Sequence, residues 1–236
     1  GAGMNVTVAN VYEYQWDGTN PSPSDFDVVI LLNSMYPTYV YDMPVSGQTA
    51  LVDYVNAGGG LIITEWTTYE NLYYNGYTNM TDLLLFDPNQ WGYNSGAGTF
   101  TVIQDHPVTA GLPASFSAPS HAGNLGGVKP GVSVLVTGTV LNNVVAVKEH
   151  GDGRIVQFAI AGNYMGRPFT TPEMQTLLTN AATWAAGASE DELVAKVGVN
   201  NLGYNEFSGQ LRIDSDFYSE LSDLTLAVGE IKSIRY

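Results

Sequence analysis

Apolar residues follow several rhythms along the chain, and each predicts an element. "NVTVANVYEY" (5–14) alternates β-branched or apolar with polar positions, which predicts a strand. "FDVVILLN" (26–33) is a continuous apolar run, the pattern of a strand covered on both faces of a parallel sheet. In "SGQTALVDYVNAGGG" (46–60), Ala50, Leu51, Tyr54 and Val55 share one helical face. Ser46 is placed to cap this helix, and Gly58 supplies the positive φ that ends it. "LIITEW" (61–66) is the next buried strand. Strand, helix and strand at this spacing predict a βαβ unit with a right-handed crossover.

Further along, 71–100 is rich in Asn, Tyr and Gly, with room for a short helix at 79–86. "GTFTVIQDHPVTAGLPASF" (98–116) predicts a strand and then a turn set by Pro and Gly. Strands are predicted at 132–139, 143–151 and 153–160, the last two joined by the tight turn "HGDG". "TTPEMQTLLTNAATWAAGA" (170–188) is the clearest helix. Thr171 stands at its cap, Pro172 at its first position, and Glu173 complements its dipole. Leu177, Leu178, Ala181, Ala182 and Trp184 form its apolar stripe, and Gly187 stops it. Beyond Gly187 the text becomes acidic ("ASEDELVAK") and then strand-like ("GQLRIDSDF", "LTLAVGEIKSIRY"). The expected division is an α/β domain over 1–187, then a linker and small β appendage over 188–236.

Composition bounds what such a chain does. With 236 residues and 44% hydrophobic content, it can build one good core plus an appendage. Eight basic residues stand against 23 acidic ones, a net charge of −15 that repels nucleic acid and anionic lipid. No apolar run approaches the roughly 20 residues of a membrane-spanning helix, so no membrane insertion is expected. There is no cysteine, which removes thiol nucleophiles, cysteine-ligated zinc and disulfides. No motif calls for a cofactor: there is no G-x-G-x-x-G, no Walker loop and no G-x-S-x-G. The Gly-, Asn-, Thr- and Tyr-rich, Lys-poor composition suits an extracellular, cell-surface or virion protein.

The segments "DFDVVILLN", "LVDYVNAGGGLIIT", "DHPVTAGLP", "HGDGRIVQFAI" and "LLTNAATWAAG", in this order, resemble the class I glutamine amidotransferase-like superfamily, and most closely its ThuA-like branch. The resemblance covers about residues 4–187 and leaves out the C-terminal 49. It implies a flavodoxin-like three-layer sandwich with a mostly parallel sheet. Two departures stand out. Catalytic members of that superfamily carry a cysteine nucleophile just past the "GGG" strand and a His-Glu or His-Asp pair later. This chain has Thr64-Glu65-Trp66 in the first place, and Gly162-Asn163 where ThuA-like proteins tend to have Gly-His. Without a nucleophile–base pair, glutamine hydrolysis has no mechanism. The family's first strand and helix also have no counterpart. That implies a strand supplied upstream in a longer polypeptide, by a neighbouring chain, or by the C-terminal strands.

Each candidate residue has two readings. Glu65, with Trp66 beside it, is either a ligand-site carboxylate at the C-terminal end of a sheet strand, where open α/β sheets bind ligands, or a carboxylate hydrogen-bonded to nearby backbone. Arg167 and Asn163 lie on the same edge. Arg167 either anchors an anionic ligand or pairs with one of the many carboxylates. Tyr36, Tyr39, Tyr41, Tyr69, Tyr73, Tyr74, Tyr77 and Tyr93 crowd two loops, which fits protein interfaces or glycan contact. His106 reads as a structural turn histidine. With His121 and His150 it makes three scattered histidines that lack metal-site spacing. "DGTN" (17–20) and "DSD" (214–216) offer Ca²⁺ oxygens without the spaced ligand pattern of an EF-hand.

The expected function is a non-catalytic amidotransferase-like module of a larger extracellular, cell-surface or virion structural protein. Its partners would be other protein subunits or the rest of its own polypeptide. The alternative is a carbohydrate-related binding protein or ThuA-like hydrolase with a pocket at the C-terminal edge of the sheet.

Overall fold

The computed structural model describes residues 4–32, 42–121, 127–162 and 167–187, and the backbone of four strands beyond them. The chain divides into two compact units, Gly1–Gly187 and Ala188–Tyr236. In the first unit, seven strands form one sheet: β1 (Val28–Leu31), β2 (Gly60–Ile63), β3 (Ser95–Val102), β4 (Ser115–His121), β5 (Ser133–Gly138), β6 (Asn143–His150) and β7 (Gly153–Phe158). Three α-helices, α1 (Val45–Asn56), α2 (Thr67–Tyr74) and α3 (Pro172–Ala185), accompany it among the described residues. The strand order is β1-β2-β7-β6-β5-β3-β4.

The fold is α/β, as the apolar runs predict, but the sheet is mixed rather than mostly parallel. Only β1–β2 and β2–β7 run parallel; β7–β6, β6–β5, β5–β3 and β3–β4 run antiparallel. Connection length explains the difference. A parallel neighbour needs a crossover of a dozen or more residues, which α1 supplies between β1 and β2. The turns at 139–142 and 151–152 are too short for anything but hairpins.

The alternation of β2 and β7 divides the core in two. Leu61, Ile63 and Ile155 face a cluster with Leu51 and Val55 of α1 and with the 80–86 segment. Ile62, Val156 and Phe158 face Met174, Leu177 and Ala181 of α3. Neighbouring residues on a strand point to opposite faces, so both faces of these central strands are covered. The helices pack close because glycine lets them. A Cβ on Gly60 would run into the backbone of Ala185 at the end of α3, and one on Gly153 into the Val55 carbonyl of α1.

Several local expectations change. Residues 5–14 form no strand: Val6 and Val8 are 81% and 83% exposed, and only Glu13–Gln15 adopt a 3-10 turn. Alternation makes a strand only where a ladder partner exists. The first helix begins at Val45 after Pro44, so Ser46 lies inside it rather than at its cap. A 3-10 stretch at Thr78–Leu83 stands in place of the short helix at 79–86. In α3, Leu178 and Trp184 are only half-buried, and Met174 and Ala185 complete the stripe. Thr171 is at the cap position, but its hydroxyl donates to the Pro168 carbonyl at 3.0 Å instead of capping.

In the second unit, β8 (Val197–Asn200) pairs antiparallel with β11 (Ile231–Ile234), and β9 (Phe207–Ser215) with β10 (Tyr218–Leu226). The acidic linker 188–196 lies outside the described residues.

Candidate functional site

The parallel half of the sheet ends in a sharp turn that presents Thr64, Glu65 and Trp66. Thr64 is tied to β1: its backbone N–H and its hydroxyl both donate to the Leu31 carbonyl, each at 3.2 Å. The Glu65 N–H donates to the Ile160 carbonyl past β7 at 3.2 Å. Trp66 then takes left-handed backbone (φ 89°, ψ −25°) and turns the chain into α2. A bulky residue in this region is strained and persists only where its surroundings hold it. Trp66 is held. It is 3% exposed, packs with Ala161, and meets Tyr69 edge-on at 5.8 Å. A sharp, strained strand-to-helix turn is where an elbow-type enzyme displays its nucleophile. Here the strained residue carries an indole, which has a donor N–H and no nucleophilic atom.

Glu65 sits beneath this turn with 0% exposure. Its Oε1 accepts from the Tyr69 N–H at 3.1 Å, within the first turn of α2, and from the Trp91 Nε1–H at 2.9 Å. Its Oε2 is buried with no hydrogen-bond partner among the described residues. Burial pushes the carboxyl up to about 7, against the two hydrogen bonds it accepts. Over it lies an aromatic wall. Tyr69 is 4.9 Å from both Trp91 and Tyr73, and Tyr73 meets Trp91 edge-on at 5.7 Å. Tyr73 and Tyr74 show about half their surface to solvent, and Tyr93 is also exposed.

The remaining candidates do not converge on Glu65. Arg167 is exposed, has left-handed backbone (φ 45°) and opens the 3-10 turn Pro168–Thr170. The hydrogen bonds of Glu65 go to Tyr69 and Trp91 instead. Tyr77 is not a surface contact residue. It is 1% exposed, belongs to the α1-side core, and its N–H donates to Asp42 Oδ1 at 2.9 Å. Burial holds its phenol well above the usual range. The chain turns inward here because Tyr77 has left-handed backbone (φ 54°). Tyr36, Tyr39, Tyr41 and Asn163 lie outside the described residues.

His106 does what the turn reading expects. Its Nδ1 accepts from the Val108 N–H at 3.2 Å and caps the turn Pro107–Thr109, while its ring stands edge-on to Trp184 at 5.0 Å. Burial, then the charge of Arg154, holds its pKa below the usual histidine value. His121 ends β4, and His150 ends β6 opposite Gly153. In "DGTN", Asp17 Oδ1 accepts from the N–H and hydroxyl of Thr19 and forms a local turn. The strand β9 takes in Asp214 and Ser215 of "DSD", and Asp216 lies outside the described residues. No cluster of three or more His, Asp or Glu able to hold a metal ion occurs among the described residues.

The structure adds residues that sequence reasoning passed over. Trp91 supplies the donor that fixes Glu65. Gln157 of β7, fully buried, accepts at Oε1 from the Leu85 and Phe86 N–H groups and donates from Nε2 to the Thr68 hydroxyl. It fastens the loop below the aromatic wall to the sheet. Two surface concavities, one lined by His106, Lys148 and Trp184 and the other by Val102, Thr109 and Leu112, include neither Glu65 nor Arg167.

No protein-family model and no curated protein matches the chain. Solved structures do. A ThuA-like protein of Parabacteroides merdae superposes with a TM-score of 0.53 at 14% identity, over 81% of this chain and 82% of that one. A ThuA-like protein of Bacteroides uniformis gives 0.50 at 21% identity, over 74% and 72%. A cytoplasmic protein of Salmonella typhimurium gives 0.51 at 16% identity, over 70% and 74%. At these identities the likeness is one of fold: the chain has the α/β, flavodoxin-like architecture of ThuA-like proteins.

Proposed function

We propose that the first unit is a non-catalytic contact module, amidotransferase-like in architecture, within a larger extracellular, cell-surface or particle-forming protein. One observation carries this reading. The strained residue at the turn after β2 is Trp66, and the carboxylate beside it, Glu65, is sealed from solvent and hydrogen-bonded to backbone and indole. The indole offers no nucleophilic atom, the carboxylate is closed to solvent, and the hydrogen bonds to Glu65 come from Tyr69 and Trp91 rather than from Arg167. Glu65 works as an internal clamp that joins α2 to the Trp91 loop. The Gly-, Asn-, Thr- and Tyr-rich, Lys-poor composition supports a place outside the cytosol.

The test is an activity screen on glutamine, aryl esters and aryl glycosides, comparing the protein with Glu65→Gln. No turnover by either is expected. Turnover that Glu65→Gln abolishes, with the fold intact by circular dichroism, overturns the reading.

The aromatic wall favours one other reading, glycan contact. Tyr73 and Tyr74 present exposed rings braced on Tyr69 beside Trp91, and ring faces stack on the apolar faces of sugars. A glycan array read with Tyr73→Ala tests it: binding lost in the variant would support that reading, and an array without signal removes it.

A further inference from the structure

β1 lies at the edge of the seven-stranded sheet. Among the described residues, β1 pairs with β2 on one side and with no strand on the other. Exposed edges are normally blunted by charge, proline or a bulge. This one carries none of them: it reads Val28-Val29-Ile30-Leu31-Leu32, with Ile30 41% and Leu32 47% exposed. The chain also holds an irregular segment with the alternation of a strand. Residues Asn5–Ala9 alternate, lack proline, and leave Val6 and Val8 more than four-fifths exposed. Downstream of it, the Trp16 carbonyl lies against Gly47 in the first turn of α1.

We propose that two copies of this chain exchange these segments, so that Asn5–Ala9 of each adds as a strand to the β1 edge of the other. This deepens the contact-module reading by naming the surface and the partner. Donor and acceptor lie on the same chain, so the exchange is reciprocal and closes as a twofold dimer. Each copy is engaged twice, once as donor and once as acceptor. That doubles the area one added strand covers, toward the ~800 Å² per partner that specific dimers bury. Backbone ladder bonds supply the pairing, and Val6, Val8, Ile30 and Leu32 supply the side-chain contacts.

The absence of cysteine makes the test clean. Val8→Cys and Ile30→Cys proteins are prepared separately, mixed and oxidised, and mass is read by light scattering and non-reducing electrophoresis. The expected result is a dimer in solution and a covalent dimer formed mainly in the mixture. Thr7→Pro combined with Val8→Asp should return the protein to monomer with an unchanged circular dichroism spectrum, since both positions are solvent-exposed. A monomeric protein without cross-linking overturns the proposal. So does a Val8→Cys/Ile30→Cys double variant that closes its disulfide within one chain, or a dimer that survives Thr7→Pro/Val8→Asp. Substrate turnover would remove the non-catalytic reading and leave the dimer result untouched, so the two failures are distinguishable.

Discussion

At the scale of single residues, Glu65 dominates. Its carboxyl is raised from 4.5 to about 7 by burial, so the folded protein holds a proton that the unfolded chain releases. A raised carboxyl contributes stability that is fully present below about 4.5 and is lost as pH climbs through about 7. At about 1.4 kcal/mol per pKa unit, the loss is on the order of 3 kcal/mol. The melting temperature should therefore fall between pH 5 and 8, and Glu65→Gln, which carries no charge, should flatten that slope. A wild-type slope that Glu65→Gln leaves unchanged would place the titration elsewhere. The neighbouring Trp91→Phe substitution removes the indole donor while keeping an aromatic ring, and about 1–3 kcal/mol of stability should go with it, measured by urea unfolding. The position of Glu65 was legible in the sequence because strand and turn signals bracket it. Its burial was not. The residue that seals it, Trp91, sits 26 positions away in a loop with no regular period. Tyr77 misled for a similar reason: a loop tyrosine looks exposed until a left-handed turn folds it inward.

At the scale of elements, the contacts between layers rest on a few exact fits. Gln157→Leu leaves the Leu85 and Phe86 N–H groups without their acceptor in a buried place. A cost of about 1–3 kcal/mol is expected, read as a lower urea midpoint. Gly60→Ala should cost a similar amount, about 1–3 kcal/mol, because its methyl group meets the Ala185 backbone rather than a side chain that can move aside. An unchanged midpoint would mean that α3 shifts freely on the sheet. Elements with a strong local signal were legible: α1 and α3 by periodicity and glycine stops, β6 and β7 by the "HGDG" turn. Elements that depend on distant partners were not. Residues 5–14 have the pattern of a strand and no ladder, while Ser115–His121 has a weak pattern and gains a ladder from β3. Strand direction is hidden in the sequence for the same reason, since pairing is settled by connection length and neighbours rather than by the run itself.

At the scale of the whole molecule, the net charge of −15 is the main lever. Self-repulsion acts on the compact state and is screened by salt. Raising ionic strength from ~0.01 M to ~0.15 M shortens the screening length from about 30 Å to about 8 Å. The melting temperature should rise over that range, as differential scanning calorimetry would show. A flat response would mean that the acidic groups are already compensated locally. Fold class was legible at this scale because both faces of the central strands are apolar, which only a layered α/β arrangement covers.

The strand order also sets a timetable. β2 completes its pairing only with β7, Gly60 opposite Arg154 and Ile63 opposite Gln157. The antiparallel meander β5–β6–β7 joins near neighbours and can close early, whereas β2 must wait for the far end of the sheet. During synthesis the paired stretches 28–31 and 60–63 are therefore made long before β7, the second neighbour of 60–63, exists. For that interval they are open to the wrong partners, and a nascent chain of this design depends on being shielded, or on being finished quickly.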